Sequence, residues 1–195
     1  RDAAFFKKRN FWLVDSKGLV RSGREGGKDK LQAHKVPYAR DDTIVAKTHS
    51  AEEDEELDSL AKGVARVRPT VLIGLAGAAG GAFTEDIVRT MHQGLREESS
   101  EAPPLRPIIM ALSNPTSQAE CTAQQVYEWT AEQQADGTKL PAAIFASGSP
   151  FEPVSVDDVN VATGQANNMY VFPGIGFGAS ASTHAPRAAH RLFRG

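Results

Sequence analysis

The sequence predicts an α/β fold organised on a parallel sheet, and three observations predict it. Apolar runs of strand length recur at 70–73, 107–112 and 142–146, segments of helical period lie between them, and each run ends in glycines or small polar residues. Strand and helix alternating at spacings of about 35 residues is the pattern of parallel βαβ units.

The first strand is F-W-L-V at 11–14, an aromatic and β-branched run closed by Asp15 and the turn Ser16-Lys17-Gly18, as a short buried strand would be. Residues 22–40 are rich in glycine, lysine and polar residues without a sustained period, and read as loop with at most a helical turn. From Glu55 the residues Leu57, Leu60, Ala61, Val64 and Val67 recur at helical spacing until Pro69 closes the segment. The run 70–73 leads into the glycine-rich stretch 74–81, and Thr84 then caps a helix with Glu85 and Asp86 in its first turn, where acids meet the positive end of the helix dipole. Ile87, Val88, Met91 and Leu95 form its apolar face. After Pro104 the pattern repeats: strand 107–112, then a helix whose Thr122 and Gln125 fit a capping box, with Val126 and Trp129 turned inward. The run 142–146 leads into Ser147-Gly148-Ser149-Pro150-Phe151 and a long loop region rich in Gly, Pro and Asn that continues to Gly178. The elements together describe a Rossmann-like sheet.

Composition narrows the function. With 195 residues, 41% hydrophobic and 24% charged, the chain is long enough for one domain with a core, and nothing marks it as disordered or fibrous. No apolar run approaches 18 residues and no signal peptide is visible at 1–9, so membrane partners are not expected. Net charge is −2, so no global field favours nucleic acid. The sign is uneven, however: residues 1–35 hold ten Lys or Arg against four acids, which offers that end to an anion. The acidic block at 52–56 reads as a solvated face. A lone cysteine, Cys121, excludes an internal disulfide and suits a reducing compartment, cytoplasm or organelle, without choosing between them.

The turns after the strands carry the candidate chemistry, because ligands of open α/β sheets bind outside the carboxyl ends of the strands. Asp15-Ser16-Lys17, the stretch 74–81, Ser113-Asn114-Pro115 and Ser147-Gly148-Ser149 would converge on one edge. An acid after a strand suits the ribose hydroxyls of a dinucleotide, whereas Ser16 and Lys17 suit a 2′-phosphate; equally, Asp15 can simply start a turn. Gly77 to Gly81 can cradle phosphate at a helix start, with Ala76 and Gly77 as cofactor contacts, although close strand-to-helix packing explains the glycines as well. The glycines of 174–178 carry the same ambiguity. In A-L-S-N-P-T-S, Asn114 and its neighbours either end the strand by turn chemistry or hold a substrate. The histidines at 34, 49, 92, 184 and 190 have no paired ligand spacing, so no metal site is expected. Cys121 reads as a core residue.

Taken in order, the words F-W-L-V-D-S-K-G-L-V (11–20), R-P-T-V-L-I-G (68–74), G-A-F-T-E (81–85), R-P-I-I-M-A-L-S-N-P-T-S-Q-A-E-C-T (106–122), F-A-S-G-S-P-F-E-P-V (145–154) and G-Q-A-N-N-M-Y-V-F-P-G-I-G-F-G (164–178) resemble the malic enzymes. Those enzymes oxidatively decarboxylate (S)-malate to pyruvate and CO2 with NAD or NADP and a divalent metal. The resemblance implies a Rossmann-like sheet with helices on both faces, Asn114 and Asn168 with Asn167 beside it as substrate amides, and Asp15 as the ribose acid. Ser16 and Lys17 look like the NADP-using branch, with Lys35 as its 2′-phosphate lysine, so NADP is the expected cofactor and NAD the alternative.

The same resemblance implies what is not here. The tyrosine and lysine that act as acid and base, the carboxylates that bind Mg or Mn, and the first glycine-rich loop belong to a region before this one, so no catalytic residue is assigned in this chain. One extra residue in the 74–83 turn and an insertion around 136–141 depart from the pattern, and 179–195 is a divergent basic tail. Residues 1–178 are thus expected to form a partial NAD(P)-binding domain lacking its first βαβ unit, a fragment inactive by itself of an enzyme that is a homo-oligomer when intact. The alternative is a catalytically silent nucleotide-binding or interaction module on the same fold.

Overall fold

The structure is a computed structural model and describes residues 11–24, 31–40, 59–77, 80–98, 104–167 and 169. The acidic block 52–56, the glycines of 174–178, the ends at 1–9 and 179–195, and Asn168 lie outside the described residues. The chain falls into two compact units that divide between Arg66 and Val67.

In the first unit, strand β1 (Val14–Asp15) pairs antiparallel with β2 (Gly18–Leu19). The expectation of a buried strand over 11–14 is therefore corrected: only Val14 of that run is strand, and Phe11, Trp12 and Leu13 keep 49%, 37% and 36% of their surface exposed. The reason is the turn itself. Asp15 Oδ1 accepts the Lys17 N–H at 2.9 Å and Gly18 sits at φ 91°, so the chain reverses over Ser16 and Lys17 as a two-residue hairpin. Val14 packs on Leu19, and Val20 and Ala39 are buried. The helical turn expected within 22–40 is the short 3-10 segment Val36–Tyr38. Arg40 then bridges to the hairpin through its N–H to the Val20 carbonyl at 2.9 Å, and its guanidinium lies 3.8 Å over the Trp12 ring. Helix α1 (Leu60–Val67) ends where Arg68 precedes Pro69, a position that disfavours helical backbone.

The second unit carries β3 (Val71–Gly74), α2 (Glu85–Glu98), β4 (Ile108–Ala111), α3 (Ala123–Trp129), β5 (Ala131–Gln133), β6 (Lys139–Pro141), β7 (Ile144–Ser147), β8 (Val154–Val156), β9 (Val159–Val161) and β10 (Gly164–Gln165). Its sheet is parallel in the order β10-β7-β4-β3, the α/β architecture expected from the sequence. Register sets Leu72, Ile109 and Phe145 side by side, and all three are buried. Against them stands α3, whose Tyr127 meets Phe145 edge-on at 6.1 Å, and α2, with Ile87, Val88, Met91 and Leu95 buried, packs beside α3. On the opposite face Val71, Ile73 and Ile144 are exposed.

Two local expectations need correction. The inward residues of α3 are Ala123, Val126 and Tyr127, spaced three and four apart, while Trp129 stays partly exposed at the helix end. The insertion near 136–141 forms most of the hairpin β5–β6, reversed through Gly137 at φ 88°. The long loop after Ser149 contains the hairpin β8–β9 and the strand β10, which adds in parallel to β7.

The capping box is formed as expected: Thr122 Oγ1 accepts the Gln125 N–H at 3.2 Å and Gln125 Oε1 accepts the Thr122 N–H at 2.9 Å. Replacing Thr122 with Ala is expected to lower stability by about 1 kcal/mol, with Thr122→Ser restoring most of it. Urea unfolding of the three proteins measures this, and equal midpoints would show that the cap contributes nothing.

Candidate functional site

The carboxyl ends of β3, β4 and β7 deliver three of the four turns expected to carry chemistry, and they are stitched together by hydrogen bonds. After β3, Gly77 takes φ 60° and donates its N–H to Ser113 Oγ at 2.9 Å, which ties the glycine-rich turn to the end of β4. Ser113 Oγ donates onward to Glu120 Oε1 at 2.5 Å, and the Ser113 N–H points to Glu120 Oε2 at 3.4 Å. Glu120 is 3% exposed. Its side chain fills the space beside Gly74, where a Cβ would stand 2.3 Å from the Glu120 Cδ, so glycine is required there. The turn closes on the far side through Gly81 N–H to the Ala119 carbonyl and Phe83 N–H to the Glu120 carbonyl. Ala76 and Gly77 are exposed at the head of this turn.

At the next strand end, Ser149 Oγ donates to Asn114 Oδ1 at 2.5 Å. That bond fixes the amide with its carbonyl end toward Ser149 and its Nδ2 end as the donor face. Asn114 is exposed, and the Asn114–Pro115 peptide is cis. Gly148 permits the approach, because a Cβ there would stand 2.3 Å from the Leu112 carbonyl oxygen and 3.0 Å from Asn114 Nδ2. Asn167 follows β10 and is clasped at both ends: its Nδ2 donates to the Gly148 carbonyl at 2.7 Å and its Oδ1 accepts the Met169 N–H at 2.8 Å. Asn114, Ser149, Gly148 and Asn167 therefore form one constellation across three strand ends. Asn168 lies outside the described residues.

The fourth turn sits in the other unit and has its own partners. The Asp15 carboxylate is paired with Arg24 at 2.7 Å and with Lys35 Nζ at 2.7 Å. The Arg24 hydrogen bond is the main reason its carboxyl sits well below the ordinary carboxylate range, against the opposing effect of burial, and Lys35 and the Lys17 N–H add to it. Ser16 and Lys17 are exposed at the hairpin tip. Sequence reasoning grouped Asp15, Lys17 and Lys35, and the structure does bring them together. It missed Arg24, whose signal was a cation in a glycine-flanked turn directly after the hairpin, and Glu120, an acid set between the buried Ala119 and Cys121.

Among the described residues no group of three or more His, Cys, Asp or Glu can hold a metal ion, and no helix is long and apolar enough to cross a membrane. Cys121 is 2% exposed, with its thiol pushed up to about 12 by burial and by the charge of Glu120.

The chain matches the model of the malic enzyme NAD-binding domain over residues 6–194. It is 42% identical over 173 residues to an NADP-dependent malic enzyme of Dictyostelium discoideum, covering 89% of this chain and 26% of that protein. It is 43% identical to the chloroplastic NADP-dependent malic enzyme 4 of Arabidopsis thaliana and 45% identical to the chloroplastic NADP-dependent malic enzyme of Flaveria trinervia, covering 88% of this chain and 21% of each of theirs. The chain thus spans about a quarter of the length of these relatives.

A buried thiol of raised pKa is a poor nucleophile, since the thiolate is the reactive form. Cys121 in the folded chain is expected to react with a disulfide reagent at pH 8 roughly a thousandfold or more slowly than a free thiol, and at the ordinary rate in denaturant. Fast labelling of the folded chain would place Cys121 at the surface and reopen a chemical role for it.

Proposed function

The chain belongs to the malic enzyme NAD-binding domain family, and from that premise we propose that it is the part of an NADP-dependent malic enzyme that grips the adenosine end of the cofactor and the carboxylate side of (S)-malate. The observation that carries the reading is the constellation of Asn114, Ser149, Gly148 and Asn167 at adjacent strand ends. Ligands of open parallel sheets bind at that edge.

In this reading Asn114 donates from Nδ2 to a malate carboxylate oxygen, with Ser149 holding its other end. A side-chain amide suits the task because it binds an anion without adding a titrating charge beside the reacting carbon. Asn168 is the second substrate amide. Asn167, engaged at both ends, positions the segment that carries it. Ala76 and Gly77 offer exposed backbone to the cofactor, and the N–H of Gly77 serves Ser113, so this turn contributes shape more than an anion cradle. Ser16, Lys17, Asp15 and Lys35 form the ribose end. When bound, NADP supplies the hydride acceptor for the 2-hydroxyl carbon of malate. The described residues offer no set for the divalent metal; its ligands, like the acid and base, are taken to lie elsewhere in the longer protein.

Two measurements test this. The polypeptide of 195 residues is expected to form no NADPH from malate and Mn2+ above a blank, because losing the proton donor and the metal costs orders of magnitude in rate; turnover would refute the division of labour. In a fluorescence titration of the same polypeptide, Lys35→Gln is expected to weaken NADP about tenfold, near 1.4 kcal/mol, and to leave NAD nearly unchanged. Equal weakening of both would mean that Lys35 supports the fold and does not meet the phosphate.

A further inference from the structure

Glu120 reaches the start, the crest and the end of the glycine-rich turn. Its carbonyl accepts the Phe83 N–H at 2.9 Å, where the turn runs down toward α2. Its side chain fills the space beside Gly74, where the turn begins, since a Cβ there would stand 2.3 Å from the Glu120 Cδ. It meets the crest through Ser113, whose Oγ donates to Glu120 Oε1 at 2.5 Å and accepts the Gly77 N–H at 2.9 Å. The Ser113 N–H points to the other carboxyl oxygen at 3.4 Å. The acid is 3% exposed and Ser113 6%, so what they do for a ligand they do at one remove.

An acid suits this place and an amide does not. Ser113 turns two donors, a hydroxyl and an N–H, toward Glu120, and a carboxylate can accept both, one on each oxygen. A glutamine has a single oxygen, so one of the two donors would face its NH2 group. A buried donor left without an acceptor carries its full desolvation penalty, and the serine would turn away. The hydroxyl proton given to the acid also leaves the lone pairs of that oxygen to Gly77, so the direction of one rotor sets both contacts.

What Ser113 holds, Asn114 inherits. The two are adjacent at the end of β4, and Asn114 Oδ1 has to stand within reach of Ser149 Oγ, which donates to it at 2.5 Å. The fit on the other side is close, because a Cβ on Gly148 would stand 3.0 Å from Asn114 Nδ2. An amide framed in this way tolerates little shift of its own backbone, and misplacing a binding group by about 1 Å can cost on the order of a hundredfold.

We propose that Glu120 is a positioning residue for the substrate amide: it acts through Ser113 to hold Asn114 against Ser149 and Gly148, with Nδ2 turned to a carboxylate of the ligand. The proposal rests on the reading of Asn114 as a malate-binding amide, and adds to it the buried acid that sets its place.

The test has a ligand-free part and a ligand part, both by nuclear magnetic resonance on the full 195-residue chain. In the free chain Asn114 Nδ2 lies close to Gly148, so Overhauser contacts are expected between the side-chain amide protons of Asn114 and the Cα protons of Gly148. Glu120→Gln and Ser113→Ala are each expected to lose them. Thr122→Ala, altered at a cap outside this relay, is expected to keep them although it too lowers stability. Contacts that survive in Glu120→Gln, or that Thr122→Ala loses equally, would overturn the proposal and leave the substrate reading of Asn114 standing. In the second part malate is titrated while the Asn114 side-chain and Gly148 backbone signals are followed. The unaltered chain is expected to respond; no response refutes the substrate reading, and the proposal falls with it. Glu120→Gln is expected to weaken malate about tenfold. In an Asn114→Ala background the same change is expected to alter malate binding by less than about twofold, because the residue it acts through is gone. Equal weakening in both backgrounds would mean that Glu120 only supports the fold. If Glu120→Gln does not fold, Ser113→Ala, which leaves the acid in place, still decides: loss of the Gly148 contacts and of malate affinity supports the relay, and retention of either overturns it.

Discussion

The carboxylate of Glu120, almost wholly buried between the ends of β3 and β4, is the constraint around which the strand-end site is arranged. A buried acid is costly unless it is hydrogen-bonded. Among the described residues Glu120 has no cationic partner, and Ser113 supplies hydroxyl and N–H donors to it. Three consequences follow along the chain. Gly74 cannot carry a side chain, because the acid occupies that volume. Ser113 cannot be apolar, because the acid needs its hydroxyl. Gly77 can lay its N–H on the same hydroxyl only by taking a left-handed backbone, so the glycine-rich turn is drawn over the end of β4. Asn114 is the next residue after Ser113, and its place beside Ser149 inherits that anchoring.

The sheet supplies the second constraint. Chain order β3, β4, β7, β10 runs in one direction across the sheet, and right-handed crossovers that progress one way place their helices on one face. The packing of α3 on Phe145, with α2 beside it, agrees with this, as does the exposure of Val71, Ile73 and Ile144 on the other face. A parallel sheet is ordinarily covered on both sides. The strand ends, by contrast, owe their geometry to bonds within the unit, so Asn114, Ser149 and Asn167 are fixed whatever lies against that face.

How much of this was legible in the sequence depends on how local each signal is. The helix α2, its four inward residues and the capping box of α3 were readable because spacing and caps lie within a few residues of each other. The strands β3, β4 and β7 were readable within a residue or two for the same reason. The hairpins β5–β6 and β8–β9 were not, since strands of three residues are too short to declare a period even where, as in Val154-Ser155-Val156 and Val159-Asn160-Val161, apolar and polar residues alternate, and β10 is defined only by its pairing with β7. Val126 and Trp129 were the expected inward residues of α3. The structure buries Tyr127 because its hydroxyl reaches the Ala162 carbonyl at 3.0 Å, a partner 35 residues away that no local pattern announces. Asn114 and Lys35 became candidates through the resemblance's ordered motifs, whereas Glu120 and Arg24 act on other side chains and stay hidden until partners are counted.

That counting separates two acids which the sequence presents alike. Asp15 and Glu120 both stand in turns that follow apolar runs, and either is a plausible ligand acid by position. In the folded chain Glu120 is held by the neutral donors of Ser113 and is almost wholly buried, so it is placed to shape a site more than to touch a ligand. Asp15 keeps some exposure, and its acceptor positions are shared by two cations and a backbone N–H, so a further donor would meet it only by displacing one of these. An acid at a strand end therefore marks a place in the fold. What it can do there is decided by the donors that the rest of the chain brings to it, which for Glu120 are the neutral groups of Ser113 and for Asp15 the cations of Arg24 and Lys35 with a backbone N–H.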